Sequence, residues 1–301
     1  MLRTLFSRLS LALTLAYCAV FPGSTIVLAL DAVPAWGEWM GGALLMVQGL
    51  AVACWALGAH GGRGGAAVAG ALLLAWVVEH VGETTGLPFG RYRYTEALQP
   101  QILGVVPAPI ALAWLTAAFG AWQLAYMALR ARTEVPRLRT EREDARIKGA
   151  RLRAGPGVSD TQHAVLAGAL IVALDLQIEP VATAINRYWV WLDAGPYYGV
   201  PLANFAAWWA VGVVIALLLS LTLGNAENRA LRAVITGSTQ HAARSTQHSI
   251  AVPALLYLLS SLMFTVVNLA RGYWLAGLVG ALLLASVAAI AGRNWLERLD
   301  R

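Results

Sequence analysis

The chain has 301 residues, 58% of them hydrophobic and only 13% charged, with 12 tryptophans, a mean hydropathy of +0.62 and a formal net charge of +6. That balance excludes an ordinary soluble domain, in which about a quarter of residues are charged, and points to a polytopic membrane protein. The positive charge sits in loops between apolar runs and no nucleic-acid-binding motif is present, so topology and anionic lipid account for it and no nucleic-acid partner is implied.

A helix needs about 20 mostly apolar residues to cross a bilayer. Eight windows qualify, near 8–30, 38–59, 64–84, 103–129, 162–184, 203–223, 250–270 and 273–292. They predict an all-α integral membrane protein, a bundle of about eight transmembrane helices forming one polytopic domain over residues 1–301, with no soluble domain. The first window has a basic start, Arg3 and Arg8, and is interrupted by Pro22 and Gly23, which also describes a signal peptide. Its apolar run continues to Leu30, which favours a retained helix. Cys18 and Cys54 fall inside windows and indicate neither a disulfide framework nor a metal site. Gly168, Ala169, Gly277 and Gly280 are small enough to let helices approach closely.

Orientation follows from the positive residues. The segment 130–153 carries eight arginines and one lysine, so by the positive-inside rule the 130–160 connection is a basic cytoplasmic loop, mobile or partly helical. Both termini, the GGRGG turn at 61–65 and the loop with Arg229, Arg232 and Arg244 then fall on the same side. The loops 85–102 and 186–202 fall outside. His163, His241 and His248 border cytoplasmic loops and read as solvated surface residues.

Two stretches echo each other. Glu79 and Glu83 precede GLPFGRYRY and then GVVPAPIALAW, while Asp175 and Glu179 precede YYGVPLANFAAWW. In each copy the acids are four apart on one helix face, and a Gly-Val turn leads to a proline followed by a tryptophan, Pro107 with Trp114 and Pro201 with Trp208. Helices three and four, and five and six, each run out and back, so the copies form a parallel internal repeat. Both acid pairs lie in one half of the bilayer with Asn268 and Arg271, and one site built from both copies is expected.

Ionisable groups inside apolar segments are functional candidates by default. The acids have three readings. They can be structural staples pairing with Arg91, Arg93, Arg187 or Arg271. They can perform acid catalysis, because a carboxyl among apolar side chains beside a like charge favours its neutral, proton-donating form. Four carboxylates can also cradle magnesium, alone or with a diphosphate. His80 beside Glu79 and Glu83 lacks the companion ligands a transition metal requires. Trp189 and Trp191 fit an interfacial aromatic belt or a wall of π-faces for a flat apolar substrate equally well. Tyr197 and Tyr198 adjoin the Gly-Val-Pro turn, which favours substrate contact.

The run EHVGETTGLPFGRYRYTEAL with GVVPAPIALAW, LDLQIEPVA, YWVW and GPYYGVPLANF resembles the membrane-bound carotenoid biosynthesis family of carotenoid 1,2-hydratases, which includes bacterioruberin-pathway hydratases. The resemblance spans residues 76–209. It implies a lyase of the cell membrane that adds water across the terminal C1–C2 double bond of an acyclic carotenoid end group, leaving a tertiary hydroxyl. The implied partners are the bilayer, a carotenoid such as lycopene, γ-carotene or a C50 precursor, and neighbouring membrane enzymes of the same pathway. No cofactor and no metal are called for, since hydration exchanges no electrons. On this reading Glu83 or Asp175 donates the proton, with Glu79 and Glu179 tuning it or positioning water. Tyr92, Tyr94, Trp189, Trp191, Tyr197, Tyr198 and Asn204 would line the pocket or hold the water. The alternatives are a membrane prenyltransferase, whose paired acids bind magnesium-diphosphate, and a noncatalytic carotenoid-binding or transport protein.

Overall fold

The computed structural model describes residues 1–145, 159–224 and 251–299. Among these residues, eight helices are long and apolar enough to cross a membrane. They belong to α1 (Leu2–Ala29), α2 (Trp39–His60), α3 (Gly62–Thr85), α4 (Ala108–Ala145), α5 (Asp160–Pro180), α6 (Leu202–Leu219), α7 (Ala251–Ala270) and α8 (Trp274–Leu299). One π-helical turn extends α5 through Val181–Ile185 and another extends α6 through Ser220–Gly224. The chain is a multi-pass, all-α membrane protein, and the eight spanning helices among the described residues match the eight apolar windows one for one.

The differences lie at the ends. The expected GGRGG turn shrinks to Gly61, whose φ of +61° reverses the chain, and α3 begins at Gly62. Residues ahead of α4 form a small hairpin of β2 (Gln101–Ile102) and β3 (Val106–Pro107). Helix α4 continues to Ala145, well into the basic segment. The rest of that segment, 146–158, lies outside the described residues, as do Arg229, Arg232, Arg244, His241 and His248. His163 is not solvated. It is buried between the rings of Trp122 and Tyr126, with Nε2 2.7 Å from the Trp122 carbonyl, because α4 runs on alongside the start of α5.

Helix α4 is the centre of the bundle: 78% of its apolar window is buried, against 17% for α1 and for α8. It packs against α2, α5 and α7. Trp114, Leu115, Phe119 and Trp122 on α4 are fully enclosed. The α5–α6 crossing is close because Gly168 meets Gly212, where an added Cβ would lie 3.3 Å from the opposing Cα. Gly277 and Gly280 likewise sit against neighbouring side chains, whereas Ala169 is exposed and serves no crossing.

The two sequence copies meet at one end of the bundle. Strand β1 (Tyr92–Tyr94), after α3, pairs antiparallel with β4 (Trp189–Trp191), after α5, with Tyr92 opposite Trp191 and Tyr94 opposite Trp189. One turn down, Trp114 of α4 stacks on Trp208 of α6 with ring centres 4.0 Å apart and planes 14° apart. Each tryptophan follows the proline of its own Gly-Val turn by the same spacing, so the repeat in the sequence becomes a ring pair in space.

Candidate active site

Glu79 lies on α3 and Asp175 and Glu179 on α5, near the end that carries the paired strands; all three are buried. Alternate residues of a strand share a face, so β1 aims Tyr92 and Tyr94 together and β4 aims Trp189 and Trp191 together. Both tyrosine hydroxyls donate to Glu79 Oε2 at 2.7 Å, and the Trp114 indole N–H donates to Oε1 at 2.8 Å. Glu179 has a matching set. Its Oε2 accepts from the indoles of Trp191 at 3.0 Å and Trp189 at 3.3 Å, and its Oε1 from Asn204 Nδ2 at 3.0 Å. The same Asn204 nitrogen donates to Asp175 Oδ2 at 2.9 Å, while Asp175 Oδ1 is buried without a partner.

The approach of Tyr92 to Glu79 depends on Gly82. A Cβ there would lie 2.6 Å from the Phe89 ring and 2.8 Å from the Tyr92 oxygen. Gly86, at φ +80°, caps α3 and folds the chain back along it, so the strand delivers its hydroxyls one turn down the helix. Burial above all holds the Tyr92 and Tyr94 hydroxyls well above the usual phenol range, so both remain protonated.

No arginine partners these acids among the described residues. Arg91 pairs with Asp193 at 2.7 Å and Arg271 with Asp31 at 2.9 Å, away from the carboxylate cluster. The acids are therefore held by indole, phenol and amide donors. Hydrogen bonds to charged groups are worth about 1.5–3 kcal/mol each, against a penalty of several kcal/mol for each buried ion, so three donors are in the range needed to hold one carboxylate.

Glu79, Glu179, Asn204 and all four strand aromatics face one cavity of about 1260 Å³, whose other walls are mostly apolar and come from α1, α2, α4, α5 and α7. Trp114 and Trp208 line it as well. Of the residues expected from sequence, Tyr92, Tyr94, Trp189, Trp191 and Asn204 line this cavity. Asp175 sits behind Asn204, and Glu83 is half-buried outside the lining. Tyr197 and Tyr198 are also outside it: the Tyr197 hydroxyl donates to the Leu176 carbonyl at 2.7 Å, and the Tyr198 oxygen accepts from the Leu275 N–H at 3.2 Å. Trp114 and Trp208 were missed as site residues, although their shared spacing from Pro107 and Pro201 was the available signal.

The model of the family described as carotenoid biosynthesis protein matches residues 40–287. The chain belongs to that family. The match takes in both hairpins and every polar group of the carboxylate site, and leaves out α1. A bisanhydrobacterioruberin hydratase of Haloarcula japonica is 28% identical over 156 residues, which are 52% of this chain and 44% of that protein. The chain thus spans less than half the length of this curated relative. No solved structure matches.

Proposed function

We propose that this protein is a carotenoid 1,2-hydratase, adding water across the terminal C1–C2 double bond of an acyclic carotenoid end group. The observation that supports this best is a pair of donor-capped carboxylates facing one aromatic-walled apolar cavity in a carotenoid biosynthesis protein. The polyene stays among lipid and apolar side chains while its end group reaches Glu79 and Glu179. Lycopene, γ-carotene or a C50 precursor carries such an end group.

The hydrogen-bond inventory supports a division of roles. Indole and amide N–H groups can only donate, so Glu179, with three of them, acts as acceptor in every bond it makes. The two partners of Glu79 Oε2 are hydroxyls, which accept as readily as they donate, so Glu79 can carry a proton without losing those contacts. Glu79 protonates C2, the C1–C2 π bond breaks, and a tertiary cation forms at C1. The indole faces and the Glu179 carboxylate stabilise that cation. Water bonds to C1 and releases its proton to Glu179, and proton return to Glu79 completes the cycle with no change of oxidation state. Asp175 acts through Asn204 as a positioning residue. The end of the bundle carrying the paired strands faces away from the cytoplasm, because among the described residues Arg3, Arg63 and the basic stretch of α4 lie toward the other end.

The test is expression in a bacterium accumulating lycopene or γ-carotene, followed by liquid chromatography and mass spectrometry of the pigments. A pigment heavier by one water with unchanged polyene absorption is expected, and is lost in Glu79→Gln and Glu179→Gln with the protein still inserted. Normal product from both variants sinks the assignment.

A further inference from the structure

The same cavity has a second polar station that the carboxylate chemistry does not use. Tyr17 of α1, Gln48 of α2, Thr116 of α4 and Ser260 of α7 all line it, and each is at least nine-tenths buried. Ser260 Oγ donates to Gln48 Oε1 at 2.9 Å, which ties α7 to α2 and engages the amide oxygen of Gln48. The Tyr17 hydroxyl is buried with the Ser260 side chain as its hydrogen-bonding neighbour, and Thr116 Oγ1 is buried with no partner. Thr116 is the more telling of the two. A threonine on a helix commonly bonds back to the carbonyl one turn earlier, as Thr14, Thr25, Thr222 and Thr265 do here, and Thr116 does not.

Four helices therefore bring three hydroxyls and an amide, Thr116 Oγ1 among them with no partner, to the walls of one mostly apolar cavity. Unpaired polar groups in a low-dielectric interior cost about 1–3 kcal/mol each, so a cluster of them is matched to a polar guest. The patch offers donors and acceptors together and no charge, which suits a neutral guest of hydroxyl size that both gives and takes hydrogen bonds. At 1.5 Å rise per residue it lies roughly 12–18 Å along its helices from the end carrying the paired strands, against roughly 9 Å for Glu79 and Glu179. It is thus roughly 3–9 Å, about half a turn to nearly two turns, deeper in the bilayer than the acids.

We infer that Tyr17, Gln48, Thr116 and Ser260 bind water within the membrane and hold it as the co-substrate supply for the carboxylate site. This rests on the hydration reading. The reaction consumes one water per turnover inside an apolar cavity, and a buried water takes two to four polar partners, the number this patch provides. Tyr17 and Thr116 would anchor the water that Ser260 and Gln48 complete. Release toward Glu179 would bring it to the cation at C1.

Radiolytic labelling tests this directly. Brief X-ray irradiation of the protein in lipid nanodiscs makes hydroxyl radicals from internal water, and mass spectrometry locates the oxidised side chains. Tyr257, fully buried with its hydroxyl donated to the Leu170 carbonyl and outside the cavity lining, is the internal reference. Tyr17 is expected to label about tenfold faster than Tyr257, and Thr116→Val with Ser260→Ala to remove most of that excess. The double variant should also lower kcat about tenfold with KM for the carotenoid unchanged, and turnover should become more sensitive to reduced water activity. If the double variant fails to insert, Tyr17→Phe, which keeps the ring, must show the same kinetic pattern. Labelling of Tyr17 no faster than Tyr257 overturns the inference. A raised KM confined to oxygenated carotenoids, with labelling unchanged, overturns it in favour of a site for a substrate alcohol. Fast labelling without hydration of any carotenoid tested would uphold the water site and remove the hydratase reading.

Discussion

Asn204→Leu is the most informative single change in this protein. The side-chain nitrogen of Asn204 donates to Glu179 at 3.0 Å and to Asp175 at 2.9 Å, and all three side chains are buried. Leucine keeps the volume and removes both donors. If both acceptors are ionised, each lost bond costs about 1.5–3 kcal/mol, so the variant loses about 3–6 kcal/mol, out of a typical total of about 5–15. If both are neutral, the relevant figure is the average of about 0.6 kcal/mol measured for hydrogen bonds between membrane helices, and the loss is only about 1 kcal/mol. The two cases are far enough apart to measure. At about 2–4 °C per kcal/mol the ionised case lowers the unfolding midpoint by on the order of 10 °C, read in detergent by differential scanning fluorimetry. Asp175→Asn in the Asn204→Leu background should recover part of the loss, since an amide carries less desolvation penalty than an orphaned carboxylate, giving a coupling of about 1–3 kcal/mol. A single-variant loss near 1 kcal/mol would assign the neutral state to both acids, and strict additivity in the double variant would refute the picture of one amide coupling them.

Trp114→Phe removes the N–H that holds Glu79 Oε1 while keeping a ring against Trp208, so turnover should fall about 10–100-fold, equivalent to about 1.5–3 kcal/mol, with pigment affinity nearly unchanged in a binding titration. Trp208→Ala should do the reverse, weakening pigment binding through loss of the stacked ring, whose pair energy is about 0.5–1.5 kcal/mol. Glu83→Gln and Tyr198→Phe lie outside the cavity lining and should leave turnover within about twofold of the parent, a surface-site expectation checked by the same pigment assay. Arg91 holds the Asp193 carboxyl below the usual carboxylate range. A depressed folded value means that the contribution is full above the ordinary aspartate value of about 3.9 and is lost as pH falls through the lower folded value. Hydrogen exchange of the Arg91 amide, which donates to Asp193 Oδ2, should therefore stay protected at pH 5 and open only under stronger acid, whereas in Asp193→Asn protection should no longer depend on pH over that range.

The helices were legible because spanning a bilayer imposes length and apolarity together, and few other structures need both. The repeat was legible from the Gly-Val-Pro turns and their tryptophans. The paired strands were not, since two or three residues set no period, and YRY and WVW read equally well as interfacial aromatics. Which acids share the cavity was hidden for a related reason. Matching the copies by position sets Glu79 with Asp175 and Glu83 with Glu179, yet by environment Glu79 and Glu179 correspond, each capped by two strand aromatics and one residue of the next helix. The shift comes from Gly82 and Gly86, which let β1 fold back along α3 and reach past Glu83. Single glycines decide such a register through three-dimensional clearance. The helical spacing of the acids carries no trace of it.

The caps on the two glutamates also bear on how the chain is made. A carboxylate entering the bilayer unescorted adds about 2.5–3.5 kcal/mol to the insertion of its helix. Glu79 takes all three of its donors from β1 and α4, and Glu179 takes all of its donors from β4 and α6. Each helical hairpin therefore brings the partners of its own acid, within 35 residues downstream in the first and 25 in the second. A ribosome emitting the chain in order releases each hairpin already neutralised toward lipid. The β1–β4 ribbon and the Trp114–Trp208 stack must wait for the second hairpin, and the α7 wall for the segment after it, so the cavity closes late in assembly, between parts that are each tolerable to the membrane alone.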